Sequence, residues 1–299
     1  MLQEIHFLLT YTCNYECDHC FLYCSPRSQG TFTLAQVGRV LAQARETGTV
    51  KGVCFEGGEP LLFFPLLVHS VKAAHEMGFR VGLVTNAYLA TCPEDAQLWL
   101  RPLMEAGVDY LSMSDDSFHA EGEDNPARRA LAAAQKLGVG SGAICISPPA
   151  LSAPGEGVEK GAPVIGGGAM FRGRAAEKLT QGLPLKDWRE LVECPHEELA
   201  DPGRVHLDCF GNVHICQGIS MGNLWERPLA EMVRDYRPQE HPVCGPLSRG
   251  GPAELVRQYD LPHEDAYVDE CHLCFLARKT LLDSYPGHLT PRQVYGLED

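Results

Sequence analysis

Along the first half of the chain, short apolar runs alternate with segments whose apolar residues recur every three or four positions. EIHFLLTY (4–11), GVCFEGGEP (52–60), FRVGLVTN (79–86), VDYLSMS (108–114) and SGAICIS (141–147) predict strands. TLAQVGRVLAQARETG (33–48), LLVHSVKAAHEMG (66–78), PEDAQLWLRPLMEAG (93–107, interrupted by Pro102) and NPARRALAAAQKLG (125–138) predict the helices between them. Repeated strand–helix units imply a parallel sheet. Five or six such units suggest an open or partial (β/α) barrel, with its chemistry at the C-terminal ends of the strands.

Residues 148–170 break this rhythm. PPALSAPGEGVEKGAPVIGGG is rich in Pro and Gly, lacks an apolar period and predicts a loop. GRAAEKL (173–179) begins a short helix, and RVHLDCFGNVHIC (204–216) alternates around Gly-Asn, a hairpin signal. Helices near 227–236 and 251–259 lead to DECHLCF (269–275) and a last helix. A boundary near residue 185 divides a first domain, 1–185, from a second, 186–299.

Composition narrows the function. With 299 residues and 44% hydrophobic positions, the chain is long and apolar enough for a sizeable core. A net charge of −14 argues against a nucleic-acid partner or an anionic membrane surface. No apolar run is long enough to span a bilayer, and the N-terminus does not read as a signal peptide, so a cytoplasmic location is expected. There the 13 cysteines, an odd number, point to metal or redox chemistry rather than to a disulfide scaffold.

Cys13-Asn-Tyr-Glu-Cys17-Asp-His-Cys20 follows the first strand directly. Three thiolates on one short loop can take three corners of a cubane iron–sulfur cluster, leaving the fourth iron open. Zinc more often uses pairs of C-x2-C. Cys24 is surplus to the three-Cys pattern. Gly57-Gly58-Glu59-Pro60 closes the second strand, Thr85-Asn86 the third and Ser114-Asp115-Asp116-Ser117 the fourth.

This Cys loop in a strand–helix repeat resembles the radical S-adenosylmethionine (radical SAM) superfamily, over most of residues 1–180. The resemblance implies a partial (β/α)6 barrel of radical SAM type. Cys13, Cys17 and Cys20 would hold a [4Fe–4S] cluster whose open iron chelates the methionine part of SAM. An electron from the cluster would release a 5′-deoxyadenosyl radical that abstracts hydrogen from substrate. Gly57, Gly58, Glu59 and Pro60 match the family's GGEP motif, which meets the SAM ammonium. Thr85, Asn86 and Ser114 stand where similar proteins contact SAM, although Asp115 departs from the family's strand-four pattern. An Arg at the start of the next helix, Arg128, can hold the SAM carboxylate in similar proteins, or form an ordinary solvated face. His119 could contact substrate or be structural.

The C-terminal part carries Cys194, Cys209, Cys216, Cys244 and the chelating turn Cys271-His-Leu-Cys274. It resembles the SPASM/Twitch extensions of radical SAM enzymes, which carry auxiliary clusters, and so implies a small α+β Twitch-like domain. Mapped onto the Twitch form, Cys194, Cys216, Cys271 and Cys274 would hold a second [4Fe–4S] cluster. A zinc site from the same four cysteines is the rival, and Cys209 and Cys244 have no assigned role. In GGGAMFRGRAA (166–176), which resembles an element preceding such extensions, Arg172 or Arg174 could face an anionic substrate group or belong to an ordinary basic loop.

The resulting expectation is a radical SAM oxidoreductase, served by a low-potential donor such as flavodoxin or ferredoxin. Its substrate is a small metabolite or, alternatively, a peptide or protein. About 32 residues precede the first helix, too few for the peptide-recognition domain of many peptide-modifying relatives, which tilts the expectation toward a small molecule. A non-catalytic iron–sulfur or zinc protein for electron transfer is the alternative of another class, and an ordinary SAM-dependent methyltransferase is disfavoured by the Cys loop.

Overall fold

A computed structural model describes residues 1–149 and 160–297. The first strands are β1 (Glu4–Thr10), β2 (Gly52–Gly57), β3 (Arg80–Thr85), β4 (Tyr110–Ser114), β5 (Gly140–Ser147) and β6 (Gly166–Gly168). They lie side by side in sequence order, each parallel to the next. Helices α1 (Leu34–Glu46), α2 (Phe64–Glu76), α3 (Pro93–Ala106) and α4 (Pro126–Leu137) connect the first five. This is the partial barrel that the alternating pattern suggests, in the six-stranded form that the resemblance implies. Part of the predicted loop at 148–170 lies outside the described residues, and its Gly166–Gly168 stretch forms β6.

The helix ends follow local chemistry. Thr33 and Gln36 form a reciprocal capping box at α1, a device worth about 1 kcal/mol. Asn125 caps α4 by accepting from Arg128 N, and Gly107 and Gly138 close α3 and α4 in the left-handed conformation. Pro102 does not interrupt α3, contrary to the sequence expectation. Burial of Trp99, Leu100, Leu103 and Ala106 along one face outweighs the single backbone donor that proline removes.

The sheet does not stop at the predicted division. The later elements are α5 (Ala175–Lys178), β7 (Lys186–Asp187), β8 (Arg204–Asp208), β9 (Asn212–Cys216), β10 (Ile219–Asn223), α6 (Leu229–Asp235), α7 (Cys244–Tyr259), β11 (Ala266–Tyr267) and α8 (Glu270–Thr280). β8 lies parallel to β1, on the side away from β2, and β9 and β10 extend the same sheet antiparallel. β8 and β9 form the predicted hairpin, with Gly211 at φ +91° in its turn. α7 begins earlier than predicted and kinks at Gly250–Gly251. β7 and β11 make a separate small ribbon.

Asp208 fixes this junction. Its carboxylate accepts from Tyr11 Oη at 3.1 Å, Asn212 Nδ2 at 2.9 Å and the backbone of Phe210 at 3.0 Å, with His214 Nε2 at 3.1 Å. One apolar core lies between the sheet and helices α1–α4, and a second joins the Cys loop to α7 and α8. Among the described residues no helix is long and apolar enough to cross a membrane.

Candidate active site

A cavity of about 500 Å³ opens inside the barrel. Cys13, Cys17 and Cys20 line it, as do Gly57, Gly58, Thr85, Asn86 and Ser114 from the ends of β2, β3 and β4. Cys24 lines it too, and its backbone N–H donates to the Cys20 sulfur at 3.4 Å. Burial pushes the Cys13 and Cys17 thiols up to about 12, whereas the hydrogen bond from Cys24 brings Cys20 down to about 6. Keeping Cys13 and Cys17 as thiolates requires positive charge beside them, which bound iron would supply. The donor set and the cavity therefore fit an iron–sulfur cluster with one open corner.

The glycine pair has a steric cause. Gly57 sits at φ +130°, where a Cβ would lie 2.5 Å from the Thr10 carbonyl oxygen. A Cβ on Gly58 would lie 2.1 Å from that of Thr12. Gly58 N donates to Thr10 O at 2.7 Å and Glu59 N to Thr12 O at 2.9 Å. The turn after β2 is thus bonded directly to the chain that enters the Cys loop.

Glu59 is fully buried and absent from the cavity wall. Its Oε1 accepts from Leu61 N at 2.9 Å and Thr85 Oγ1 at 2.7 Å, and its Oε2 accepts from Asn86 N at 2.8 Å. In this arrangement its carboxylate joins the ends of β2 and β3. Burial raises it to about 7 against these three donors. Asn86 in turn donates from Nδ2 to Asn14 Oδ1 at 2.9 Å, beside Cys13. Pro60 starts a short 3-10 helix and does not line the cavity.

Arg128 also lies off the cavity. Its Nε donates to Asp115 Oδ2 at 3.0 Å, so the acidic residue that departs from the family pattern holds it. His119 does line the cavity, with Nδ1 2.8 Å from Asp116 Oδ1 and its ring edge-on to His19. Arg174 braces the Cys loop, donating to Cys17 O at 2.6 Å and Cys24 O at 2.9 Å.

Cys194, Cys216, Cys271 and Cys274 meet around a second, smaller cavity. Cys216 ends β9, Cys271 and Cys274 occupy the first turn of α8, and Asp269 caps that turn through His272 N at 2.8 Å. Cys209 and Cys244 are buried outside this cavity. Burial pushes Cys194 up to about 12 and raises Cys271 and Cys274. Two buried arginines, Arg172 and Arg278, supply positive charge. Arg172 lines both cavities, and its NH1 is 2.8 Å from Glu197 Oε1 and 3.2 Å from Cys216 Sγ. Sequence reasoning left its role open because the partners are 25 and 44 residues away.

The radical SAM superfamily model matches residues 7–143. Over this segment the chain is similar to that superfamily. Over 119 residues the chain is 29% identical to a protein from Selenomonas ruminantium named S-adenosylmethionine-dependent nucleotide dehydratase, covering 40% of this chain and 41% of that one. Over 108 residues it is 23% identical to the putative peptide biosynthesis protein YydG of Bacillus subtilis (strain 168), covering 36% of this chain and 34% of that one. The matches thus span less than half the length of these relatives. Among solved structures, native anSMEcpe with bound AdoMet is similar at a TM-score of 0.46 and 14% identity, over 98% of both chains. Streptococcus suis SuiB bound to S-adenosylmethionine is similar at a TM-score of 0.41 and 13% identity, over 86% of this chain and 74% of that chain.

Proposed function

We propose that this radical SAM enzyme oxidises a substrate held in the barrel, using a SAM-binding [4Fe–4S] cluster and an auxiliary [4Fe–4S] cluster. The observation that carries this reading is the meeting of two cysteine sets, three on the main cavity and four on the second, with Arg172 on both. When bound, the first cluster and SAM supply a low-potential electron and a 5′-deoxyadenosyl radical that abstracts hydrogen.

The chain's own residues have distinct tasks. Cys13, Cys17 and Cys20 ligate the first cluster, and Arg174 fixes the loop that carries them. Gly57 and Gly58 bring backbone groups close to that loop, while Glu59 acts through the positions of Thr85 and Asn86. Ser114 adds a hydroxyl at the fourth strand end. Cys194, Cys216, Cys271 and Cys274 ligate the auxiliary group, and residues 186–299 form the Twitch-like extension despite sharing a sheet with the barrel.

A cubane is the reading for the C-terminal four-cysteine set, and a structural zinc is its rival. A small molecule is the first reading of the substrate, and the peptide-biosynthesis relative keeps a peptide as the second. A cytoplasmic flavodoxin or ferredoxin would serve as the electron donor.

Anaerobic iron and sulfide analysis, together with 5′-deoxyadenosine formation from SAM and a reductant, tests this proposal. About eight irons per chain with deoxyadenosine formed is the expected result. About four irons with cleavage would make the C-terminal cysteines a zinc or structural site. No SAM binding and no cleavage after reconstitution would leave a non-catalytic iron–sulfur or zinc protein.

A further inference from the structure

A charged cluster that neither cysteine set uses lies in the barrel wall. His6 on β1, Glu56 on β2 and His206 on β8 belong to three neighbouring strands and line the main cavity. His6 stands directly beside His206 in the parallel register, and Glu56 is paired with Leu8, two positions along β1. Strand alternation therefore points the three side chains to one face. Both histidines are buried, and only 15% of the Glu56 side chain is exposed.

The distances are those of ligand atoms around a shared centre. Glu56 Oε1 is 3.0 Å from His206 Nε2, and Glu56 Oε2 is 3.2 Å from His6 Nδ1. Yet His6 Nδ1 and Glu56 Oε1 have no partner in hydrogen-bonding geometry, and neither does the neighbouring Gln217 Oε1. One ligand atom from each of the three side chains falls within a 4.8 Å group. Nitrogen and oxygen ligands bonded to a cation at about 2.0–2.2 Å are themselves separated by about 3.0–3.5 Å.

We propose that His6, Glu56 and His206 form a mononuclear site for a divalent first-row transition ion such as Zn²⁺, with its remaining coordination positions open to the barrel cavity. Two imidazoles and one carboxylate are a borderline donor set that suits such ions rather than Mg²⁺ or Ca²⁺. Glu4 Oε2 lies 3.8 Å from His6 Nε2 and can orient the ring from behind. An ion here would offer an anchor for an oxygen- or nitrogen-bearing group of a molecule in the cavity.

The test uses the full chain with its cysteine sites reconstituted. Protein is incubated with Zn²⁺, passed through gel filtration and analysed for zinc, and its zinc K-edge X-ray absorption is recorded. Wild type is expected to retain one zinc in a nitrogen- and oxygen-only shell. Glu56→Gln, which keeps the side-chain volume, and His206→Ala are expected to weaken zinc retention at least tenfold with iron content unchanged. Cys271→Ala should leave this zinc in place, which separates it from zinc at the C-terminal cysteines. Equal zinc in wild type and in a folded Glu56→Gln variant, or a sulfur-dominated shell, would overturn the proposal and leave a metal-free polar network. Neither outcome depends on SAM cleavage.

Discussion

The Arg172 guanidinium lies 3.2 Å from the Cys216 sulfur and, through the same NH1, 2.8 Å from the Glu197 carboxylate. Both charged side chains are buried, and the other cation near Glu197 is Arg204, at 3.7 Å. Removing one member of such a pair leaves a charge without its main partner, at about 3–5 kcal/mol. Arg172→Met should therefore lower the unfolding free energy by about 3 kcal/mol in anaerobic denaturation. The double variant Arg172→Met/Glu197→Gln should recover part of that loss. A single-variant change under about 1 kcal/mol would show that the pair is not an important support of the second cavity.

Gly58 is the tightest point between the β2 turn and the Cys loop. A methyl group there would meet the Thr12 carbonyl at 2.1 Å, so the strand end or the loop must move. Gly58→Ala should lose about half of the bound iron and all SAM cleavage. Full iron content with normal cleavage would show that the loop yields without cost.

The cysteines should separate by role. Cys17→Ala is expected to abolish 5′-deoxyadenosine formation, and Cys274→Ala to lose about four irons while keeping the first cluster. Cys24→Ser should retain both iron sets, because Cys24 supports Cys20 through its backbone N–H and the three-Cys pattern is complete without its thiol. Loss of iron from Cys24→Ser comparable to that from Cys17→Ala would place Cys24 among the ligands.

Glu59 gives a pH signature. Its carboxyl holds a proton up to about pH 7 in the fold, well above the 4.5 of a solvated glutamate, because burial outweighs its three donors. The folded state thus binds more protons than the unfolded chain across that window. The stability this adds is complete below about pH 4.5 and is lost as pH rises through about 7. Glu59→Gln should flatten the melting temperature between pH 5.5 and 8. Its amide nitrogen would also face one of the N–H or O–H donors, so SAM affinity should fall about tenfold. Unchanged SAM affinity would mean that Glu59 has no part in positioning Thr85 and Asn86.

The sequence by itself determined the strand–helix succession, the Cys13–Cys20 loop, the Gly57–Gly58 turn and the Cys271–Cys274 turn. All of these are local: apolar periodicity spans one element, and chelating or glycine turns span a few residues. The tertiary structure decided what depends on distant partners. β8 joins the sheet beside β1 although about 200 residues separate them, and this alone places His206 next to His6. Strand alternation then carries both rings and Glu56 into the lumen, where periodicity would have shown only polar residues at alternate positions. Side-chain partners decided the rest: Asp115 draws Arg128 away from the cavity, Thr85 and Asn86 occupy the Glu59 carboxylate, and Glu197 fixes Arg172 between the two cysteine sets. Such pairings form only after packing has brought charge and hydrogen-bond donors together in a buried space, where leaving one unpaired is costly.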